Sequence, residues 1–442
     1  MVDWLVDTPS PQYELHNKPI RDSGTLYNYL GERSPRPHLH PDAATESPRR
    51  PSLQINGIST LNVGGDAAQK QLVQHLSPAS AGPSSSSSSS ASTSASATPS
   101  PSPLQRYRGW VSEVVAPLEE FIDHSFDPRE LFTDLQEIAE GESGSVFSAS
   151  IVPSPPSKSK LKSSTAHISK NESGKVAIKQ VPLLPGGSPK LEEMRKELML
   201  MSRVSHEHIL SMDALFVDLV EDALWIEMEL MERSLADVLG LVEEGLVLEE
   251  RVFARFATDI LSALVHLETL GIVHRDVRSD NLLVNSQGVL KLADFSNALL
   301  VDPAYPTYKE PAGVIYWQAP EMRSSPYDAQ KVDIWSAGAT VWEMAEAEPP
   351  FMHIEVDDIK DLPERWPMLS KATEFSRSFH DFLNLCSNPP SERPSAHDLL
   401  TTPFILSACD RSFIMDLLSQ CKAIEERIHR RTSTDSEGTV LS

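Results

Sequence analysis

The chain has 442 residues, 40% of them hydrophobic, a formal net charge of −24 and three cysteines, enough for one domain of about 250–300 residues with extensions. The acidity argues against nucleic acid or an anionic lipid surface as the main partner and favours basic protein substrates, because the summed field steers association. No apolar run of about 18 residues spans a membrane, no secretory signal opens the chain, and Cys386, Cys409 and Cys421 lack metal-ligand spacing, so a reducing, cytoplasmic setting is expected.

Residues 1–109 read as a disordered Ser/Pro-rich region. Prolines punctuate positions 35 to 51, Ser84 to Ser90 is a homopolymer, and Ser, Thr, Ala and Pro continue to Pro103. Such composition buries too little apolar surface to offset its conformational entropy. A patch at Tyr13 and from Thr25 to Leu30 is aromatic enough to serve as a docking motif. Residues 110–131 read as a helical lead-in. Val111, Val114, Val115, Leu118, Phe121 and Ile122 recur near helical spacing with Pro117 between them, and Asp127-Pro128 supplies an N-cap followed by proline at the first helical position.

From Phe132 the pattern is strand, glycine turn, strand, with Gly141 and Gly144 in the turn and Val146 beyond it. Glycines in such a turn let backbone amides approach phosphates closely. Residues 151–174 form a long connector rich in Ser, Lys and Pro. Val176-Ala177-Ile178-Lys179 is a strand ending in lysine, some thirty residues beyond the glycine turn. A helix follows from Lys190 to Val204, with Glu193 and Glu197 as candidates to pair with Lys179; Glu197 is preferred for its place nine residues before His206. Two strands lead to Met228, then to the segment Glu229 to Met231, and Ser234-x-x-Asp237 is a capping box.

A periodic helix from Phe253 to Leu270 runs into His274-Arg275-Asp276-Val277-Arg278-Ser279-Asp280-Asn281 and the apolar Leu282-Leu283-Val284. An Asp, four residues and an Asn before a short strand suit phosphoryl transfer, which needs a carboxylate near the attacking hydroxyl and an oxygen ligand on magnesium. Asp294-Phe295-Ser296 supplies a second metal carboxylate. Ala319-Pro320-Glu321, Asp333 to Gly338 and Glu392-Arg393-Pro394 follow, with Glu321 and Arg393 suited to an ion pair and Asp333 to holding the Asp276 loop. Residues 405–442 read as an amphipathic tail helix and a disordered end.

Taken together, these motifs resemble a eukaryotic protein kinase across roughly 132–404. The stretches His274 to Asn281, Tyr316 to Glu321 and Lys331 to Ser336 resemble the PAK-like (Ste-group) serine/threonine kinases, in divergent form. The resemblance implies an α+β bilobal fold, with a small mostly-β lobe and a large mostly-α lobe, and transfer of the ATP γ-phosphate to protein Ser/Thr hydroxyls. It implies ATP between the lobes: Gly141, Gly144, Val146, Ala177 and Leu283 around the nucleotide, Met228 as gatekeeper, Glu229 to Met231 as hinge, and Lys179 on the α- and β-phosphates, held by Glu197. Asn281 and Asp294 would ligate Mg2+, Asp276 would orient the substrate hydroxyl, and Arg278 would stabilise the moving phosphoryl group. Asp280 and the acidic surface imply basic target sites, and upstream or scaffold signalling proteins are implied partners. No GTPase-binding motif with an Ile-Ser-x-Pro start is found.

Four positions depart from the family pattern. Arg278 stands for a lysine and is bulkier and forked. Ser296 stands for a glycine, at a cost of about 1 kcal/mol if φ > 0 is needed. Val314 replaces a threonine that bonds the Asp276 equivalent, and Glu310 replaces the phosphorylated threonine and is placed to pair with Arg275. Because Arg278, Ser296 and Val314 cluster around the γ-phosphate, a second reading stays open: a pseudokinase scaffold or allosteric regulator that binds nucleotide and transfers little or no phosphate.

Overall fold

The computed structural model describes residue 107 and residues 109–141, 144–152, 174–187, 189–302, 304–323, 326–353 and 362–438. Of residues 1–109, expected to be disordered, 1–106 and 108 lie outside the described residues, as do the aromatic patch near Tyr13 and the connector residues 153–173; Tyr107 is described, with its hydroxyl 2.7 Å from His124 Nδ1.

Helix α1 (Trp110–Val115) passes into a 3₁₀ turn at Pro117, where the missing amide costs nothing because the chain already leaves the α-helical ladder. Val111, Val115, Leu118 and Ile122 are buried against Leu191, Met194 and Leu198 of the next long helix. Asp127 caps the single turn α2 (Pro128–Leu131) by accepting from the Arg129 amide.

Strands β1 (Phe132–Gly141), β2 (Gly144–Ile151), β3 (Lys175–Pro182), β4 (Met212–Asp218) and β5 (Ala223–Met228) form one antiparallel sheet in the order β1-β2-β3-β5-β4. Helix α3 (Pro189–Met201) lies between β3 and β4 in the chain. Its apolar stripe and inward residues such as Val181, Leu215 and Ile226 make one core, while Phe132, Ile178, Phe216 and Trp225 make another. The period of two thus gives this sheet two buried faces.

A short β6 (Arg233–Ser234) and α4 (Leu235–Gly240), with the expected Ser234–Asp237 capping box, open the large lobe. Helix α5 (Glu250–Leu270) buries Phe253, Phe256, Ile260, Leu261, Leu264 and Leu267 and stops at Gly271, which takes the left-handed conformation. Strand β7 (Ile272–Val273) precedes the Asp276 loop, and the hairpin β8 (Leu282–Val284) with β9 (Leu290–Leu292) follows it. β10 (Leu299–Leu300) returns to pair with β7, and β11 (Thr307–Tyr308) pairs with β12 (Tyr327–Asp328).

The rest is helical: α6 (Val332–Glu346), α7 (Arg377–Cys386), α8 (Ala396–Leu399) and α9 (Arg411–Gly438). The large core gathers residues of α5 to α9, Phe404 included. The tail helix α9 is part of that core through Ile414, Leu417, Leu418, Cys421 and Ile424, and its Glu425 takes a bidentate pair from the buried Arg233 at 2.6 and 3.2 Å. The architecture is the expected bilobal α+β one. No helix among the described residues is long and apolar enough to cross a membrane.

Candidate active site

The loop between β7 and β8 is shaped by Asp333, the second residue of α6. Its two carboxylate oxygens accept from the amides of His274 and Arg275, each at 2.7 Å. The loop needs this anchor because Arg275 adopts φ 63°, a left-handed conformation that non-glycine residues hold only when their surroundings impose it. The expected role of Asp333 is met in these contacts.

Asp276 is buried and surrounded by donors. Its Oδ2 accepts from Asn281 Nδ2 at 3.1 Å and from Asn297 Nδ2 at 3.3 Å. Its Oδ1 accepts from the Val314 amide at 3.3 Å and lies 3.4 Å from Arg278 Nε. Valine at 314 therefore still reaches Asp276, through its backbone. Gly313 makes that approach achievable: at φ +76°, a Cβ there would sit 2.4 Å from the Arg275 carbonyl and 2.8 Å from Asp276 Oδ1.

Arg278 is ion-paired to Asp280 through Nη1, and its guanidinium lies 5.9 Å from the centre of the Trp317 ring. The Trp317 indole N–H and the Ser279 hydroxyl donate to the two oxygens of the fully buried Glu343, at 2.9 and 2.7 Å. The Asp276 loop, the segment near Trp317 and α6 are thereby tied through one carboxylate.

Asp294 also takes a left-handed φ of 65°. Its surroundings push its carboxyl up, but the Ser296 hydroxyl and amide, then His274 and Lys179, outweigh that and hold it below the usual carboxylate range. The cost considered for serine at 296 does not arise, because Ser296 is not among the residues with positive φ and its side chain serves Asp294 instead. Phe295 is buried edge-on against His274, with ring centres 4.7 Å apart.

Lys179 stands opposite Val146 on β2 and Ile226 on β5. Glu193 is exposed whereas Glu197 is 9% exposed and turned inward. Burial pushes the Glu197 carboxyl up, Lys179 pulls it down and Asp294 pushes it up again, with a net upward shift. Among the described residues no ion pair within 4.0 Å joins Lys179 to Glu197; Glu197 Oε1 accepts from the Phe295 amide at 3.2 Å.

Between the lobes lies an apolar cluster of Leu210, Met231 and Ala293, with Met228 and Leu283 against it. Ala177 pairs with Met228 across β3 and β5. The hairpin closes at the Gly141–Gly144 pair, and Gly144 is obligatory: at φ +130°, a Cβ would lie 2.0 Å from the Gln180 carbonyl. The side chain of Glu229 bonds Lys291 and Asn285, each at 2.8 Å, which fixes the segment from Glu229 to Met231 onto the β8–β9 hairpin.

Lys179, Glu197 and Asp294 thus lie within electrostatic reach of one another, and Asp276, Arg278 and Asn281 are joined by a hydrogen bond and an ion pair. Sequence reasoning missed Leu210, Ala293 and Asn297, because a lone apolar or amide residue between motifs carries no periodic or spacing signal. The expected Arg275–Glu310 carboxylate pair is corrected: Arg275 Nη1 and the Tyr327 hydroxyl donate to the Glu310 carbonyl, at 3.4 and 2.9 Å, while the Glu310 side chain is exposed. Backbone polarity satisfies the arginine there. The paired Glu321 and Arg393 lie where expected, bonded at 2.6 and 3.2 Å.

An oxygen-only donor set fits magnesium, which takes one or two protein ligands plus phosphate oxygens and water. Asn281 spends its amide nitrogen on Asp276, so its oxygen remains for a metal, alongside the Asp294 carboxylate. Among the described residues no cluster of three or more His, Cys, Asp or Glu side chains forms a self-sufficient metal cage.

Residues 163–405 match the family described as protein kinase domain. Among curated relatives, the chain is 30% identical over 305 residues to serine/threonine-protein kinase pakC of Dictyostelium discoideum, covering 67% of this chain and 58% of that protein. It is 32% identical to serine/threonine-protein kinase MST20 of Pyricularia oryzae over 69% of this chain and 31% of that protein. Against serine/threonine-protein kinase PAK 5 of Rattus norvegicus, identity is 31% over 72% of this chain and 40% of that protein. The chain therefore spans at most 58% of the length of these three.

Proposed function

The chain belongs to the protein kinase family, and from that premise we propose that it is a serine/threonine protein kinase of PAK-like character that transfers the ATP γ-phosphate to protein hydroxyls. The observation that carries the reading is the environment of Asp276: a carboxylate held by donors on both oxygens, one of them the amide of Asn281. Such a group is aimed, as an acceptor of a substrate proton must be.

Leu210, Met228, Met231, Leu283 and Ala293 offer an apolar slot for adenine, with Val146 and Ala177 above it. Gly141 and Gly144 bring backbone amides over the phosphates, and the backbone from Glu229 to Met231 bonds the adenine edge. Lys179 binds the α- and β-phosphates, and Glu197 is the carboxylate that would close on Lys179 when nucleotide is bound. Asn281 and Asp294 hold magnesium, whose role when bound is to neutralise the phosphate oxygens. Asp276 orients the Ser/Thr hydroxyl and takes its proton on a carboxylate oxygen. Arg278 places its cation beside the transferred group.

The domain division offered is 132–404 for the kinase, with 110–131 as lead-in and 405–442 as tail. The acidic charge supports basic proteins as substrates through long-range attraction, signalling proteins are the expected regulators, and the setting proposed is cytoplasmic.

The test is radiolabelled phosphate transfer from Mg-ATP to a generic basic protein, wild type beside Asp276→Asn. Transfer that vanishes in the variant supports the reading; equal signal from both ends it. A second reading, a nucleotide-binding pseudokinase, is favoured by Glu197 bonding the Phe295 amide with no ion pair to Lys179 among the described residues, and by the pairing of Arg278 with Asp280. Magnesium-dependent ATP binding without any transfer would select it.

A further inference from the structure

Four residues meet the Asp276 carboxylate, three as hydrogen-bond donors and Arg278 as an ion-pair partner. Val314 donates through its backbone, Arg278 is also held by Asp280, and Asn281 is the proposed metal ligand. The fourth residue, the donor Asn297, has no part in the chemistry described so far. It touches the Asp276 loop at two adjacent residues: its side-chain amide donates to Asp276 Oδ2 at 3.3 Å, and its carbonyl accepts from Arg275 Nε at 2.8 Å.

The backbone on both sides of Asn297 is fixed. The Ala298 amide donates to the Phe295 carbonyl at 3.0 Å, closing a turn, and Leu299 enters β10 opposite Val273 of β7. A side chain on so constrained a backbone loses little entropy in holding one geometry, so its hydrogen bond is effective at orienting a partner.

The terminal torsion of an aspartate is broad and nearly two-fold. A single donor leaves the carboxylate plane free to swing, whereas donors on both oxygens fix it. On Oδ1 the backbone of residue 314 serves. On Oδ2, among the described residues, the donors are Asn281, whose oxygen is the proposed metal ligand, and Asn297, whose side chain has no second task.

We propose that Asn297 is a positioning residue that fixes the carboxylate plane of Asp276, and that it supplies the orienting contact which a hydroxyl at position 314 would otherwise give. The proposal rests on the transferase reading above. It also places the orientation of Asp276 under the control of the segment that carries Asp294, three residues earlier in the chain. Base and metal ligand are then set by one turn.

The experiment is steady-state transfer by the full chain, with Asn297→Ala, Asn297→Asp, Val314→Thr and the Asn297→Ala/Val314→Thr double variant. Asn297→Ala should lower kcat about tenfold, the weight of one hydrogen bond to a charged group, while KM for ATP and for peptide stays within about twofold. Adding Val314→Thr should recover most of that loss, because a hydroxyl at 314 can donate again to Asp276. Asn297→Asp, nearly the same shape, should lower kcat at least as far as alanine, since an acceptor would then face an acceptor. If alanine at 297 prevents folding, the aspartate variant takes its place.

An unchanged kcat in both Asn297 variants overturns the proposal. So does a loss that Val314→Thr fails to restore, which would mark Asn297 as a purely structural support. A wild type with no transfer at all fails differently: it removes the kinase reading, and this inference with it.

Discussion

Glu197 Oε1 accepts from the backbone amide of Phe295 at 3.2 Å, so the helix that should hold Lys179 is fastened to the segment that carries Asp294. The two lobes meet at this bond. It spans 98 residues of sequence and ties α3 to the Asp294 turn whether or not Lys179 closes on Glu197.

This gives Glu197 two separable duties. Glutamine at 197 keeps an oxygen for Phe295 but loses the charge facing Lys179. We expect Glu197→Gln to melt within about 2 °C of wild type, whereas Glu197→Ala should cost about 1 kcal/mol more and lower Tm by a further 2–4 °C. Both should raise KM for ATP. Thermal melts beside nucleotide titration check it, and equal melting of the two variants would refute the structural duty.

Arg278 is held by Asp280 and leans on Trp317. If its cation meets the transferred phosphoryl group, Arg278→Ala should lower kcat by a factor of about 100, near the range for removing a transition-state donor, with peptide KM little altered. Arg278→Lys should retain activity or exceed wild type, because a lysine carries the charge without the fork. Kinetics of the three forms side by side decide; an alanine variant as fast as wild type would take Arg278 out of the chemistry.

Glu227 precedes Met228 on β5, and burial, then Asp213, pushes its carboxyl up to about 7. A carboxyl raised in the folded state binds a proton there that the unfolded chain, with its ordinary value of 4.5, has already released. Folding stability should therefore fall as pH rises from about 4.5 to about 7 through this group, and level off above. Glu227→Gln should flatten that slope and raise Tm at pH 8. Melting curves of both proteins from pH 5 to 8 test it, and parallel curves would remove Glu227 from the account.

Gly313 and Gly338 are backbone approaches that tolerate no side chain. At 338, a Cβ would meet Cys386 Cβ at 2.4 Å and Trp366 at 2.5 Å, inside the packing of α6 on α7. Gly338→Ala should cost about 1–3 kcal/mol by overpacking, seen as a lower Tm. Gly313→Ala should act locally, since its Cβ would press on Asp276 and the Arg275 carbonyl. We expect kcat to fall more than tenfold with Tm lowered by only a few degrees. Normal turnover from Gly313→Ala would show that the Asp276 loop has room to shift.

The capping box at Ser234, the N-cap at Asp127 and the long apolar face of α5 were legible in advance because each is a local pattern within one turn or one helix. So was the order of the motifs along the cleft, since spacing along the chain survives folding. The partner of Arg275 was not. A guanidinium seeks any acceptor within reach, and whether it finds the carbonyl or the carboxylate of residue 310 depends on how the Tyr327 strand packs beneath it. Serine at 296 looked like a steric burden because residue identity alone does not give its φ, nor the bond it makes to Asp294 two residues earlier.

By itself, then, the order of residues carried the resemblance to the protein kinases, and through it the expected two-lobed architecture and the candidate groups for nucleotide, metal and proton, because the order and spacing of motifs are properties of the chain alone. Only the tertiary structure decided that Glu197 bonds Phe295, that Asn297 reaches Asp276 and that the lead-in and tail helices join the two cores. Those contacts join residues far apart along the backbone, or turn on a single side-chain rotation, and directional hydrogen bonds and close packing are satisfied only once every neighbour is in place.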